Sequence, residues 1–173
     1  MIKKKAPQFQ LKDLEGNIYS LEDLKGWIVV IYFWSAECDW CARVDDELKP
    51  FLKRWKEQVK VLWIVSNANE SRNLIEKVAN ERSLTPVLFD EHQNTANLFG
   101  AETTPHFFII DTEGNLAYQG AWDDISFRQR VATQKYVMQV IEALMQNLTP
   151  KVSQSTPYGC VLVRFSDAVG HST

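Results

Sequence analysis

Trp27-Ile28-Val29-Val30-Ile31-Tyr32-Phe33-Trp34-Ser35-Ala36-Glu37-Cys38-Asp39-Trp40-Cys41 is the stretch on which the fold turns. From Trp27 to Trp34 every residue is β-branched, aromatic or otherwise apolar. A run without a polar face reads as a strand covered on both sides, hence a central strand of a mixed or parallel sheet. Beyond Cys41 the period changes, and Val44, Leu48, Phe51, Leu52 and Trp55 recur at helical spacing. Asp45, Asp46 and Glu47 are assigned to the solvated side of that helix, and Pro50 is expected to kink it. Cys38 and Cys41 therefore stand at a strand-to-helix junction.

Working outward, Gln8–Leu11 and Asn17–Tyr19 around Glu15-Gly16-Asn17 read as a hairpin, and Leu21 to Gly26 as one helical turn. Val59–Val65 is a second buried strand. A helix is expected to start within Asn67–Glu70 and end near Ser83, followed by a short apolar Pro86–Phe89 and one or two helical turns over Thr95–Phe99. Phe107–Ile110 and Leu116–Ala121 around Glu113-Gly114-Asn115 form a second hairpin. Val131, Val137, Val140, Ile141, Leu144 and Met145 predict a last helix, and Tyr158–Phe165 beyond a polar linker is strand-like. Strands alternating with helices, then a hairpin, predict an α/β fold: a central mixed β-sheet flanked by helices, with an N-terminal β-hairpin and a C-terminal extension. The boundary is drawn between residues 1–148 and 149–173.

The chain has 173 residues, 45% hydrophobic and 24% charged, enough for a sizeable core in one domain. Nineteen basic against 22 acidic residues give a net charge of −3, which offers no electrostatic footprint for nucleic acid. No apolar stretch approaches the length of a transmembrane helix, and no signal peptide is read at the N-terminus. Three cysteines are too few for a disulfide scaffold and leave one over.

A cysteine at a helix N-terminus meets unpaired amide hydrogens and the positive end of the helix dipole, and both favour thiolate over thiol. Cys38, read as exposed, is the candidate nucleophile; Cys41, one turn on and more buried, is the candidate resolving thiol that displaces product from a mixed disulfide. The bland alternative is two cysteines packed as small hydrophobes. A zinc site completed by Cys160 with His106 or His171 is a second alternative, weakened because a lone C-x-x-C lacks the second pair of ligands.

Phe33 to Cys41, following an apolar strand, resembles the active site of the thioredoxin superfamily. Ala6-Pro7-Gln8-Phe9 with Asp13-Leu14-Glu15-Gly16 is similar to its redoxin branch, the TlpA- and ResA-like membrane-associated thiol–disulfide reductases. Ser66-Asn67, Phe99-Gly100-Ala101, Thr103-Thr104-Pro105, Asp111 with Gly114, and Tyr118-Gln119-Gly120 extend the resemblance over about Ala6 to Leu148, and Tyr158-Gly159-Cys160 resembles a tail element of some redoxin-domain proteins. The resemblance implies a thioredoxin-like fold, a cis Thr104–Pro105 bond facing the cysteines, and a Thr104 backbone edge beside Pro105 that pairs with an extended substrate. It also implies a thiol–disulfide oxidoreductase, a monomer needing no cofactor beyond its dithiol and no metal. Its partners would be a protein disulfide and an upstream dithiol donor, and its setting extracytoplasmic, in the periplasm.

The chain departs from that pattern in places. Trp40 stands where proline is often found, either as a platform over the disulfide or packed on a neighbouring loop. Val44 replaces a glutamate of the reductases, and Tyr32 stands where thioredoxin has an interior acid. Glu37 and Asp39 flank the nucleophile with charge that disfavours thiolate and biases the pair towards the reducing side. A thiol peroxidase is the enzymatic alternative, but Ile31 and Ser35 occupy the positions of its proline and threonine. A redox-inactive binding module is the other. His106 is read either as a neighbour of the sulfurs or as a structural strand residue. Cys160 has three readings: exchange with Cys38, an intermolecular disulfide, or burial in the Val161–Val163 strand, of which burial is favoured.

Overall fold

The computed structural model describes residues 3–165. Its centre is the apolar run, which forms β3 (Ile28–Phe33), and every residue of that strand is buried. β3 lies between β4 (Val59–Val65), to which it is parallel, and β7 (His106–Ile110), to which it is antiparallel. β4 pairs in parallel with β5 (Val87–Phe89). The edges are antiparallel additions: β1 (Gln10–Asp13) on β5 with β2 (Ile18–Ser20) outside it, and β8 (Leu116–Gly120) on β7. The seven strands run in the order β2-β1-β5-β4-β3-β7-β8. The mixed sheet expected from the strand order is present.

Alternation along β3 divides the interior in two, because successive side chains of a strand point to opposite faces. Ile28, Val30 and Tyr32, with Trp34 just beyond, join a core with Val44 and Leu48 of α1 (Asp39–Trp55) and Val137, Val140 and Ile141 of α4 (Tyr136–Met145). Val29, Ile31 and Phe33 face a second core with Phe9, Phe108 and Phe99 of α3 (Asn94–Phe99). Both faces of the sheet are covered, as a continuous apolar strand requires.

Several boundaries differ from the sequence reading. The helix predicted from Asn67–Glu70 is α2 (Arg72–Arg82), which begins where the Ser71 hydroxyl caps the Leu74 amide at 3.2 Å. α4 starts at Tyr136, not near Val131, which is 75% exposed in an irregular segment. Asp124 organises that segment by accepting from the amides of Thr133 and Gln134. α1 runs through Pro50 as one helix. The one-turn element after Leu21 is a 3-10 helix, Glu22–Leu24.

The strand expected over Tyr158–Phe165 is reduced to β9 (Cys160–Val161), which pairs antiparallel with β6 (Thr103–Thr104) in a separate two-stranded sheet. The rest of the tail satisfies its backbone through irregular contacts. Ser155 receives the Ala121 amide on its hydroxyl at 2.9 Å and sits so close to Gly120 that a Cβ there would strike it. Leu162 is 3% exposed in the second core, and its amide donates to the Glu102 carbonyl. The amides of Ala68 and Val163 donate to the Val163 carbonyl and the Asn67 side chain respectively.

Candidate active site

Cys38 is the N-cap of α1, with extended backbone, and Cys41 lies within the helix's first turn. The Ala42 amide returns to the Cys38 carbonyl at 3.1 Å and starts the helical ladder. The approach from β3 is held by Glu70, which accepts from the Ser35 hydroxyl at 2.5 Å and from the amides of Ala36 at 3.2 Å and Glu37 at 3.1 Å. One carboxylate thus fixes three consecutive residues ahead of Cys38. Sequence reading missed this role, because Glu70 resembled an ordinary helix-start residue. Ser35, at the position of the peroxidase threonine, gives its hydroxyl to Glu70.

The structure corrects two readings of the sulfurs. The spacing predicts an exposed Cys38 and a buried Cys160, whereas Cys38 is 3% exposed and Cys160 is exposed. Cys38 and Cys160 form a disulfide, with Cα atoms 6.3 Å apart across 122 residues of chain, and Cys41 is a free, buried thiol. The tail that brings Cys160 to Cys38 is what covers Cys38. Opposite them is the Thr104–Pro105 bond, which is cis as the resemblance implied; Thr85–Pro86 is a second cis bond. The Cys38 sulfur lies 3.0 Å from the Thr104 carbonyl oxygen. In the disulfide that sulfur carries no proton, so this is a close contact that becomes a hydrogen bond only when Cys38 is a thiol.

Burial pushes the Cys41 thiol up to about 12, opposed by hydrogen bonds from the Ser35 backbone and Tyr32 and reinforced by the charge of Asp45. The Tyr32 hydroxyl donates to the Cys41 carbonyl at 3.2 Å. Asp45 overturns its assignment to the solvated helix face, for it is 5% exposed. It accepts from Trp34 Nε1 at 2.8 Å, Trp63 Nε1 at 3.3 Å and Arg82 at 2.9 Å, and burial holds its carboxyl above the usual carboxylate value. An interior acid is therefore supplied by α1, where Tyr32 occupies the strand position. The signal was its spacing, one turn after Cys41 on the face of Val44 and Leu48.

Trp40 is half-buried and packs edge-to-face on Tyr158 of the tail, ring centroids 4.9 Å apart. Arg43 stands 5.9 Å from the Trp40 ring centroid and forms a bidentate pair with buried Asp123, both bonds at 3.0 Å. Trp40 thus packs on the tail segment that carries Cys160. Glu37 and Asp39 are exposed. His106 is structural: it is 4% exposed, its Nδ1 accepts from the Glu102 amide at 3.1 Å, and burial lowers it to about 4, so no imidazolium faces the sulfurs at neutral pH. For the zinc reading, His106 is thereby engaged, Cys160 is bonded to Cys38, and His171 lies outside the described residues. No cluster of three potential ligands occurs among the described residues.

The AhpC/TSA family matches residues 2–119, so its match ends before the tail. A thiol–disulfide oxidoreductase ResA from Bacillus thuringiensis is 32% identical over 119 residues, 68% of each chain. An uncharacterized conserved protein from Geobacillus kaustophilus superposes with a TM-score of 0.85 at 28% identity, covering 95% of this chain and 92% of the other. The thioredoxin domain of a thiol–disulfide oxidoreductase from Bacteroides vulgatus gives 0.61 at 22% identity, covering 69% and 88%, a likeness of fold.

Proposed function

The chain belongs to the AhpC/TSA family and is a thiol–disulfide oxidoreductase of thioredoxin-like fold, and we propose that it reduces protein disulfides through Cys38 and Cys41. The observation that carries this reading is the state of Cys38: at the N-cap of a 17-residue helix it is already joined to a sulfur presented by an extended segment paired to Thr104. An intrachain strand thus presents its sulfur to Cys38 as a substrate strand would in a mixed disulfide. The helix N-terminus stabilises the Cys38 thiolate both as attacking and as leaving group. A substrate strand would lie along Thr103–Thr104 by β-augmentation, with Pro105 and Trp40 beside it. Cys41, one turn inside, would then displace the reduced product and close Cys38–Cys41.

Glu37 and Asp39 are given the role of disfavouring the Cys38 thiolate and keeping the pair reducing, an effect that rising salt weakens because both are exposed. An upstream dithiol returns the oxidised protein to its thiol form, and no cofactor beyond the dithiol takes part. The working unit is a monomer composed of a domain over residues 1–148 and an extension over 149–173. An extracytoplasmic, periplasmic setting suits a protein holding a disulfide. No helix among the described residues is long and apolar enough to cross a membrane.

The test is covalent capture. A Cys41→Ser, Cys160→Ser double variant lacks both thiols that could resolve an intermediate, so incubation with insulin should leave an insulin chain disulfide-bonded to Cys38. A double variant that remains uncaptured, with Cys38 free, contradicts the reading.

A further inference from the structure

We propose that Cys160 is a third redox-active thiol: the tail strand β9 occupies the substrate edge of β6 in the oxidised protein, and the upstream dithiol enters at Cys160 and uncovers Cys38. This rests on the thiol–disulfide reading above and assigns a residue that lies beyond the matched span of the family.

Three observations carry it. First, the seat is specific. Cys160 is the register partner of Thr104 and Val161 of Thr103, so the tail fills the edge that an incoming strand needs. Gly159 permits the approach, since a Cβ there would strike the Thr104 carbonyl and come within 2.8 Å of Pro105 Cδ. Second, the seat is held from both sides. Upstream, Tyr158 packs on Trp40 and its hydroxyl accepts from the Phe127 amide at 2.7 Å; downstream, Leu162 is buried and Gln93 donates to the Val163 carbonyl at 2.8 Å. Third, the two residues differ in exposure and their thiols in leaving ability. Cys160 is exposed, whereas Cys38 is 3% exposed and caps α1. Exchange rates depend on which sulfur is reachable and on how well the other leaves. Both factors direct an external thiolate to Cys160.

Turnover leaves Cys38 bonded to Cys41; once the substrate has left, the Cys160 thiolate attacks the Cys38 sulfur, the Cys38–Cys160 bond forms, the Cys38–Cys41 bond breaks, and Cys41 takes up the proton that Cys160 gave up. In the first step of reduction a donor thiolate then attacks the Cys160 sulfur. The donor–Cys160 bond forms, the Cys38–Cys160 bond breaks, and Cys38 leaves as a thiolate that takes up a proton. In the second step the donor's other thiol displaces Cys160, which takes the second proton. The donor dithiol is oxidised to its disulfide, and Cys38 and Cys160 are reduced to thiols, two electrons and two protons having moved. The tail is then free to leave Thr103–Thr104 to a substrate strand.

Three measurements test this without a protein substrate. The wild-type protein, oxidised with excess oxidised dithiothreitol, denatured, alkylated with N-ethylmaleimide and digested, should yield a cross-linked Cys38–Cys160 peptide pair with the label on Cys41. A Cys38–Cys41 cross-link with the label on Cys160 overturns the proposal. Cys41→Ser, oxidised and then exposed briefly to glutathione, should carry glutathione on Cys160; glutathione on Cys38 overturns the entry point. Gly159→Ala, which keeps all three thiols, should lose most of the Cys38–Cys160 cross-link, and retention at the wild-type level overturns the role of the tail seat. Insulin capture by the double variant, read separately, reports on the substrate reaction, so failure of one reading is distinguishable from failure of the other.

Discussion

Cys41 is a protonated thiol in a dry site, and its chemistry follows from that. Burial holds it near 12, so in the native protein at pH 8 it should resist iodoacetamide and react once urea exposes it; fast native labelling would contradict its placement. His106 is subject to the opposite shift for the same reason. Its folded value, about 4, lies below the ordinary 6.5, so between those values the unfolded chain binds more protons than the folded one. The stability that neutral, buried His106 confers is complete above pH 6.5 and lost as pH falls towards 4, up to about 3 kcal/mol. Urea denaturation of wild type and His106→Gln over that range checks it, and the variant's stability should fall less steeply. Asp45 shows why residue type misleads: an acid on a helix is ordinarily solvated, yet its turn relation to Cys41 put it on the buried face. What no spacing reveals is that two indoles and a guanidinium await it.

At the scale of elements, β3 was legible because a strand buried on both faces leaves an uninterrupted apolar run, and α1 because its apolar period begins at once. The start of α4 was not, since Val131 continues the apolar rhythm into a loop ordered by Asp124. The partner of β9 was hidden for another reason: β6 and β9 are two residues each, and their pairing is a tertiary contact with no local signal. The loop before Cys38 depends on Glu70. Glu70→Ala leaves the Ser35 hydroxyl and two amides without their acceptor and should cost about 1–3 kcal/mol in urea denaturation. Glu70→Gln, which keeps a carbonyl acceptor, should recover part of that loss and of the insulin-reduction rate; if it restores nothing, the acceptor role is wrong. Leu162→Ala removes the tail's buried anchor and should cost about 2–4 kcal/mol, read as faster proteolysis after Val152 in the reduced protein.

For the molecule as a whole, the Cys38–Cys160 bond staples the extension to the sheet across 122 residues. A loop of that length restrains the unfolded chain strongly, and the stabilisation expected is roughly 2–5 kcal/mol. Thermal unfolding with and without dithiothreitol should show it as a melting temperature several degrees higher for the oxidised protein; coincident transitions would contradict a stapled resting form. The overall architecture was readable from strand and helix order, whereas the state of the site was not, because it depends on which two of three thiols meet. The central claim is that Cys38 exchanges with protein disulfides, and insulin reduction tests it most directly. With dithiothreitol as donor, wild type should accelerate insulin precipitation well above the uncatalysed rate and Cys38→Ser should fall to that background, whereas equal rates for the two proteins would contradict the account.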